Sequence, residues 1–292
     1  MGILQYVIER VPASWLRAGA RLRGRFRVVK RATDWLPGLL RHRQGVIRNG
    51  LGRGLKFNGG ASAVGFLLGT HDTDVQYAMG RLLRPTTTCY DIGANVGFTA
   101  ILAARCVGPG GRVDCFEPLA VNAAQIRGNA DLNGFTHVHV HQLALGGDDG
   151  EAEFHTSHAP TWGRLAEAGA TPEASGTIRV PVRRLDRLVA TEGLPDPQFI
   201  KMDVEGAEAD VLAGARELLT RARPVMVIEL HHTHQAVVDA LAGLGYVVRP
   251  LVPGGRLEGD PGEFQVLAYP EGHPDGEALW DEVRAGGRLG AP

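Results

Sequence analysis

The chain has 292 residues, a hydrophobic share of 44% and a formal net charge of −1 at pH 7, which suits one large apolar core and excludes a disordered polyelectrolyte. No apolar run approaches the ~20 residues needed to span a bilayer, and the N-terminus has no h-region of a secretory signal. The three cysteines, Cys89, Cys106 and Cys115, are odd in number and lack Cys-x-x-Cys spacing, which argues for buried thiols in a reducing cytoplasm rather than a disulfide framework or a zinc site.

The charge is unevenly spread. Residues 1–56 hold 13 Lys or Arg against two acids, Glu9 and Asp34, a balance of +11; the remaining 18 basic and 30 acidic residues give −12. Trp15, Leu22, Val29 and Leu36 recur every seven residues, so this N-terminal helical arm is expected as amphipathic segments, interrupted at Gly19, Gly24 and Pro37. A basic arm on an acidic body predicts peripheral contact with an anionic membrane through residues 1–56; the alternative is a packed extension that builds a homo-oligomer. Arg outnumbers Lys 28 to three along the whole chain, the composition of a GC-rich bacterium rather than of a transit peptide. The arm, 1–56, is therefore set apart from a domain at 57–292, with a loop at 45–60.

A short helix is expected near 72–83. From residue 88, strands alternate with helices: strands at Thr88–Ile92, Arg112–Phe116, Val138–Leu143, Phe199–Met202 and Val225–Leu230, helices at 97–106, 119–132, 206–220 and 234–244. Such alternation implies a parallel sheet covered on both faces. Tyr246–Leu251 and Phe264–Tyr269 are joined only by a Gly/Pro-rich stretch, so the last strand should return antiparallel. The expected fold class is α/β, the class I (Rossmann-like) methyltransferase architecture with a seven-stranded, mostly parallel sheet. Two strand-like pieces, Glu151–His155 and Thr177–Arg183, interrupt the alternation as an inserted hairpin near the substrate side.

The first strand ends in Asp91, and Gly93-Ala94-Asn95-Val96-Gly97 turns into a helix that opens with Phe98-Thr99. Ligands of open α/β sheets bind outside the carboxyl ends of the strands, and glycines there admit a close backbone. A dinucleotide loop reads Gly-x-Gly-x-x-Gly. Here Asn95 replaces the second glycine, and an acid just before the turn suits a cofactor with an ammonium and a sulfonium better than one with a pyrophosphate. Glu117, followed by Pro118, closes the second strand and is expected to accept two ribose hydroxyls. Gln142-Leu143-Ala144 is expected at the adenine edge. S-adenosylmethionine is thus the expected cofactor.

The stretch Lys201–Glu208 sets Asp203, Glu205 and Glu208 at the exit of the fourth strand. Acids in a helix first turn complement its dipole, which accounts for Glu208 and part of Glu205 but not for Asp203. Glu229 and His231, two apart at the end of the fifth strand, share one face, and His232 takes the other.

Taken in order, Asp91–Gly97, Phe116-Glu117-Pro118, the spaced Asn129 and Asn133, Ala144-Leu145, Val180–Leu188 with its Leu185-Asp186, Lys201–Glu208 and Glu229-Leu230-His231 resemble the FkbM family of methyltransferases over roughly residues 60–250. The resemblance implies a class I fold and transfer of methyl to oxygen, commonly a hydroxyl of a sugar or natural product. Gly69–Val75 resembles the family's Gly-Thr-Tyr-Glu-Pro stretch, with His71 for Tyr, Asp72 for Glu and Thr73 for Pro.

For such a transfer His231 is expected as the base, with Glu229 orienting it or the sugar, and Asp203 and Glu205 holding acceptor hydroxyls. A hard divalent cation on Asp203, Glu205 and Glu229 is a rival use of those oxygens; no metal site is assigned. Two other functions compete. A nucleic-acid methyltransferase would grip phosphate with the arm, but the acidic body would repel it and no base-stacking motif accompanies the arm. An NAD-linked oxidoreductase is disfavoured by Asn95. The expected partner is a small-molecule or glycan acceptor, and the expected location is cytoplasmic with membrane association.

Overall fold

The computed structural model describes residues 44–59, 64–157, 163–165, 174–251, 257 and 262–284. The helical segments expected before Gln44 lie outside the described residues. Where a loop was expected, β1 (Gln44–Val46) pairs antiparallel with β2 (Lys56–Asn58). This hairpin is part of the body. Ile47 and Phe57 are buried in its core, and the backbone N–H groups of Lys56 and Asn58 donate to the side chains of Asn133 and Asn129. The boundary expected after residue 56 therefore cuts a hairpin, and the body already includes Gln44.

Seven strands form the main sheet: β3 (Thr88–Ile92), β4 (Arg112–Phe116), β5 (Val138–His141), β10 (Phe199–Met202), β11 (Val225–His231), β12 (Tyr246–Pro250) and β13 (Glu263–Pro270). Their order is β12-β13-β11-β10-β3-β4-β5. All neighbours are parallel except those of β13, which runs antiparallel to both β11 and β12. The order reverses between β3 and β10, the place where open α/β sheets make a crevice at their carboxyl edge.

Alternation along the strands builds two cores. Cys89, Val113, Cys115, Phe199 and Val227 face one side, packed with Val75 and Met79 of α2 (Thr73–Leu82), Ile101 and Leu102 of α3 (Phe98–Val107) and Ile126 of α4 (Ala120–Leu132). Tyr90, Ile92, Phe116, Ile200 and Ile228 face the other. There they meet Leu188 of α5 (Leu185–Glu192), Leu212 of α6 (Glu208–Gly214), Leu218 of α7 (Arg216–Ala222) and Leu241 of α8 (His234–Ala242). The short α1 (Val64–Leu68) precedes α2, and α9 (Pro274–Arg284), absent from the sequence expectation, adds Leu279 to the first core. Burial of the free thiols of Cys89 and Cys115 pushes both well above their ordinary range.

Three further differences from expectation have local causes. The third strand stops at His141, because Ala144–Leu145 (β6) leaves the main sheet to pair with β9 (Ala174–Arg183). The inserted hairpin is larger than expected: β6, β7 (Gly150–Ser157), β8 (Gly163–Leu165) and β9 form a separate sheet in the order β6-β9-β7-β8. The single helix expected over 206–220 is two, broken at Ala215. The carboxylate of Asp186, on α5, accepts the N–H groups of Glu217 and Leu218 at 2.9 and 2.8 Å, supplying α7 with the N-terminal acceptor that a new helix requires.

Candidate active site

The turn after β3 is shaped by its neighbours. Gly93 has φ +73, and a Cβ there would lie 1.8 Å from the carbonyl oxygen of Asp203, so only glycine lets this loop rest against the exit of β10. Asn95, with φ +49, aims its backbone N–H at Glu117 Oε2 (2.9 Å). The other oxygen of Glu117 accepts from Leu119 N–H (2.9 Å) and Asn122 Nδ2 (3.2 Å). The asparagine in place of the second glycine thus orients the strand-end acid. Burial raises the Glu117 carboxyl to about 7 in spite of these bonds.

Asp91 behaves differently from expectation. Its side chain is wholly buried, neither oxygen has a hydrogen-bond partner, and the nearest cation is Lys201 Nζ at 3.7 Å. Lys201, itself buried, also donates to the carbonyl of Gly93 (3.1 Å) and lies 3.5 Å from Asp203. Burial works against its charge, but Asp203 and Asp91, aided by Asp72 and Glu229, outweigh it and hold the ammonium above its usual range. Asp91 therefore sits beside Lys201 beneath the loop. Sequence reasoning passed over Lys201, although a lysine inside an apolar strand between two strand-end acids is a legible signal.

A cleft partly open to solvent, with about 630 Å³ of free space counted into its mouth, lies along this edge. Of the expected residues, Gly93, Asn95, Glu117, Pro118, Leu143, Ala144, Asp203 and Glu205 line it. Asp91, Gly97, Phe98, Thr99, Gln142, Glu229 and His231 are not on its wall. Gly97 serves packing: a Cβ would come within 3.0 Å of Ile126 Cα on α4. Phe98 packs edge-on against Phe57 and at a tilt against Phe66. Gln142 points to solvent, because β5 has already ended. Among the wall residues that were missed are Asn122, through α4, and Phe154, brought in by the second sheet.

At one end of the cleft the carboxylates gather. Asp203 and Glu205 follow β10, and the last residue of β11, His231, sets its Nε2 3.8 and 3.6 Å from them. His231 Nδ1 shares a hydrogen bond of 2.9 Å with Glu208, a fully buried acid that also accepts from Gly206 N–H and Thr233 Oγ1. Burial alone would lower the imidazole pKa. The Glu208 bond and the charges of Asp203, Glu208 and Glu205 raise it instead to about 9. Glu229 stands apart, opposite Gln265 in the β11–β13 pairing; burial, then Asp203 and Asp72, raise its carboxyl. Asp72, in the left-handed region at the start of α2 and paired with His71 at 3.0 Å, thus brings the Gly69–Val75 stretch into the field of this site.

These donors fit S-adenosylmethionine. A buried carboxylate at the end of β4 suits a pair of hydroxyls, Leu143, Leu145 and Phe154 offer apolar wall, and Asp203 with its unpaired buried Oδ1 suits positive charge. The model of the methyltransferase FkbM domain matches residues 91–248, more than half of the chain. The chain belongs to the FkbM methyltransferase family. The family is one of methyltransferases, so membership speaks for S-adenosylmethionine as the cofactor and against the NAD-linked alternative. Relatives include the 2-O-methyltransferase NoeI of Sinorhizobium fredii, 33% identical over 49% of this chain and 63% of its own length. Another is the 31-O-demethyl-FK506 methyltransferase FkbM of Streptomyces tacrolimicus, 30% identical over 57% of this chain and 75% of its own. This chain thus spans less than two thirds of the NoeI protein. A solved FkbM methyltransferase of Methylobacillus flagellatus aligns at 20% identity with a TM-score of 0.43, covering 68% of this chain and 55% of that one.

Proposed function

We propose that the protein methylates a hydroxyl oxygen of a sugar, a glycan or glycolipid, or a natural product. The observation that carries this reading is the meeting, on one cleft, of Glu117 with the Asp203–Glu205 pair backed by His231. The printed names of NoeI and FkbM both specify an oxygen acceptor, which supports oxygen over nitrogen. S-adenosylmethionine, when bound, supplies a methyl group on a sulfonium, so the acceptor oxygen gains a C–O bond while the broken C–S bond leaves its electron pair on sulfur.

The chain's residues then have three tasks. Glu117 takes the ribose hydroxyls, and Leu143 and Phe154 exclude water from the adenine side. Asp203 and Glu205 hold the acceptor hydroxyl and take its proton, a contribution of about 10²–10⁴-fold for a well-placed base; alignment is worth more, about 7–11 kcal/mol in favourable cases. His231 does not reach the cleft wall, so the base role expected of it passes to these carboxylates, and His231 becomes a positioning residue. We propose as well that the basic residues of 1–56 bring the protein to anionic membrane.

Calorimetric titration of the full chain with S-adenosylmethionine, and with NAD as control, tests the first half. Glu117→Ala should weaken cofactor binding by about 1.5–3 kcal/mol, the worth of a charged hydrogen bond. Asp203→Asn should cut turnover by about 10²-fold or more. A mass-shift screen against glycans and natural products tests the second half, and methylation found only on nitrogen or on nucleic acid would overturn the hydroxyl reading.

A further inference from the structure

Asp203, Glu205 and His231 each turn one ligand atom to a common point, the three atoms lying within 4.8 Å of one another. The separations from His231 Nε2, 3.6 and 3.8 Å, are too long for the 2.7–2.9 Å that a charged N–H···O bond prefers. Ligands about 2.0–2.2 Å from one ion stand about 2.8–3.6 Å apart in octahedral or tetrahedral geometry, so the shorter separation meets the top of that range and the longer one closes by a few tenths of an ångström on binding. His231 is only 8% exposed, and its Nε2 faces Asp203 and Glu205 at ion-pair distance. Facing it, Asp203 Oδ1 is buried and has no hydrogen-bond partner. Asp203 Oδ1 and His231 Nε2 thus face one gap from the ends of neighbouring strands.

The other side of the imidazole is fixed. Nδ1–H donates to Glu208, which Gly206 N–H and Thr233 Oγ1 hold in place. A carboxylate behind a histidine in this way fixes the ring and turns Nε2 outward, the arrangement around histidines that bind metal once Nε2 has given up its proton to the incoming ion. The surrounding charge points the same way. Among the described residues, Asp72, Asp91 and Glu229 join Asp203 in acting on one buried lysine, Lys201. Glu229 is outside the converging group, which corrects the ligand set expected from the sequence: histidine takes the place of the third carboxylate.

We propose that Asp203, Glu205 and His231 bind a divalent cation at the end of the cleft, with Glu208 positioning His231. One imidazole and two carboxylates suit Mn²⁺, with Mg²⁺ as the hard competitor. Since Asp203 and Glu205 line the cleft, the ion's remaining positions open toward an acceptor oxygen, whose proton a cation makes easier to remove. Only this last role rests on the methyltransferase reading; the site itself does not.

The test is Mn²⁺ uptake by chelator-treated full-length protein at neutral pH, read from the electron paramagnetic resonance signal of free Mn²⁺, with Mg²⁺ in competition. One bound equivalent is expected. Asp203→Asn and Glu205→Gln, both on the cleft wall where folding is least at risk, should each weaken uptake by about tenfold or more, and Glu208→Gln by about 10–100-fold. Glu229→Gln should bind like the parent. Absence of uptake at millimolar Mn²⁺, or uptake undiminished in Asp203→Asn and Glu205→Gln, would overturn the site. S-adenosylmethionine titrated into the same samples separates the two readings. Cofactor binding without Mn²⁺ uptake sinks the cation and leaves the methyltransferase, and uptake without cofactor binding does the reverse.

Discussion

The Glu117 carboxyl sits at about 7 because burial disfavours its charge more than the bonds from Leu119, Asn122 and Asn95 favour it. For the fold, a raised carboxylate pKa means that the ionised form is the costly one. The free protein should therefore lose stability as pH rises from 4.5, the ordinary value, to about 7. For the ligand the sign reverses, since hydroxyls donate to the ionised form. S-adenosylmethionine should bind about tenfold more weakly at about pH 6 than at about pH 8. Calorimetry across this range, repeated on Glu117→Gln, checks both trends. A wild-type affinity that is flat with pH would remove Glu117 from cofactor binding. Asn95 shows the same economy at one position: its left-handed backbone costs conformational energy and gives Glu117 a donor that a glycine's mobile backbone would hold less firmly.

Close approach of elements, rather than propensity, decides the join between the two sheets. Gly214 ends α6, and a Cβ there would stand 2.0 Å from the carbonyl oxygen of Gly146, just after β6. Ala is the better helix former by about 1 kcal/mol, yet overpacking against backbone costs about 1–3 kcal/mol. Gly214→Ala should therefore lower the melting temperature, and an unchanged or raised value in a thermal melt would show that α6 does not press on the second sheet. Elements of this kind mark the limit of what the sequence discloses. The strands of the main sheet, the antiparallel return of β13, the Gly93 turn and the role of Glu117 as an inward strand-end acid were legible, because each rests on local periodicity or on a residue at an element's end. The pairing of Asp91 with Lys201, the cap that Asp186 places on α7, the β1–β2 hairpin and the arrival of Phe154 at the cleft were not. Each depends on contacts between segments far apart in the chain, and Gln142 misled because β6 abandons the main sheet after His141.

On the scale of the whole molecule, ten of the 13 basic residues before residue 57 precede Gln44, while the hairpin that follows belongs to the core. Full-length protein should sediment with anionic liposomes at low salt and come off as salt rises and screens the attraction. A chain beginning at Gln44 should lose that binding and keep its cofactor affinity; one beginning at 57 would also sacrifice Ile47 and half of the hairpin, and with them stability. Indifference of the full chain to such liposomes would turn the arm into an oligomer contact. The sheet order carries a different consequence. β13, made after both of its neighbours, lies between β11 and β12. As the chain leaves the ribosome, β11, with His231 at its tip, keeps one open edge until Pro270 has emerged, an interval of about 2–8 s at about 5–20 residues/s. An open apolar edge of that kind invites pairing with other chains, so a nascent chain stalled in this window is the species a chaperone must guard.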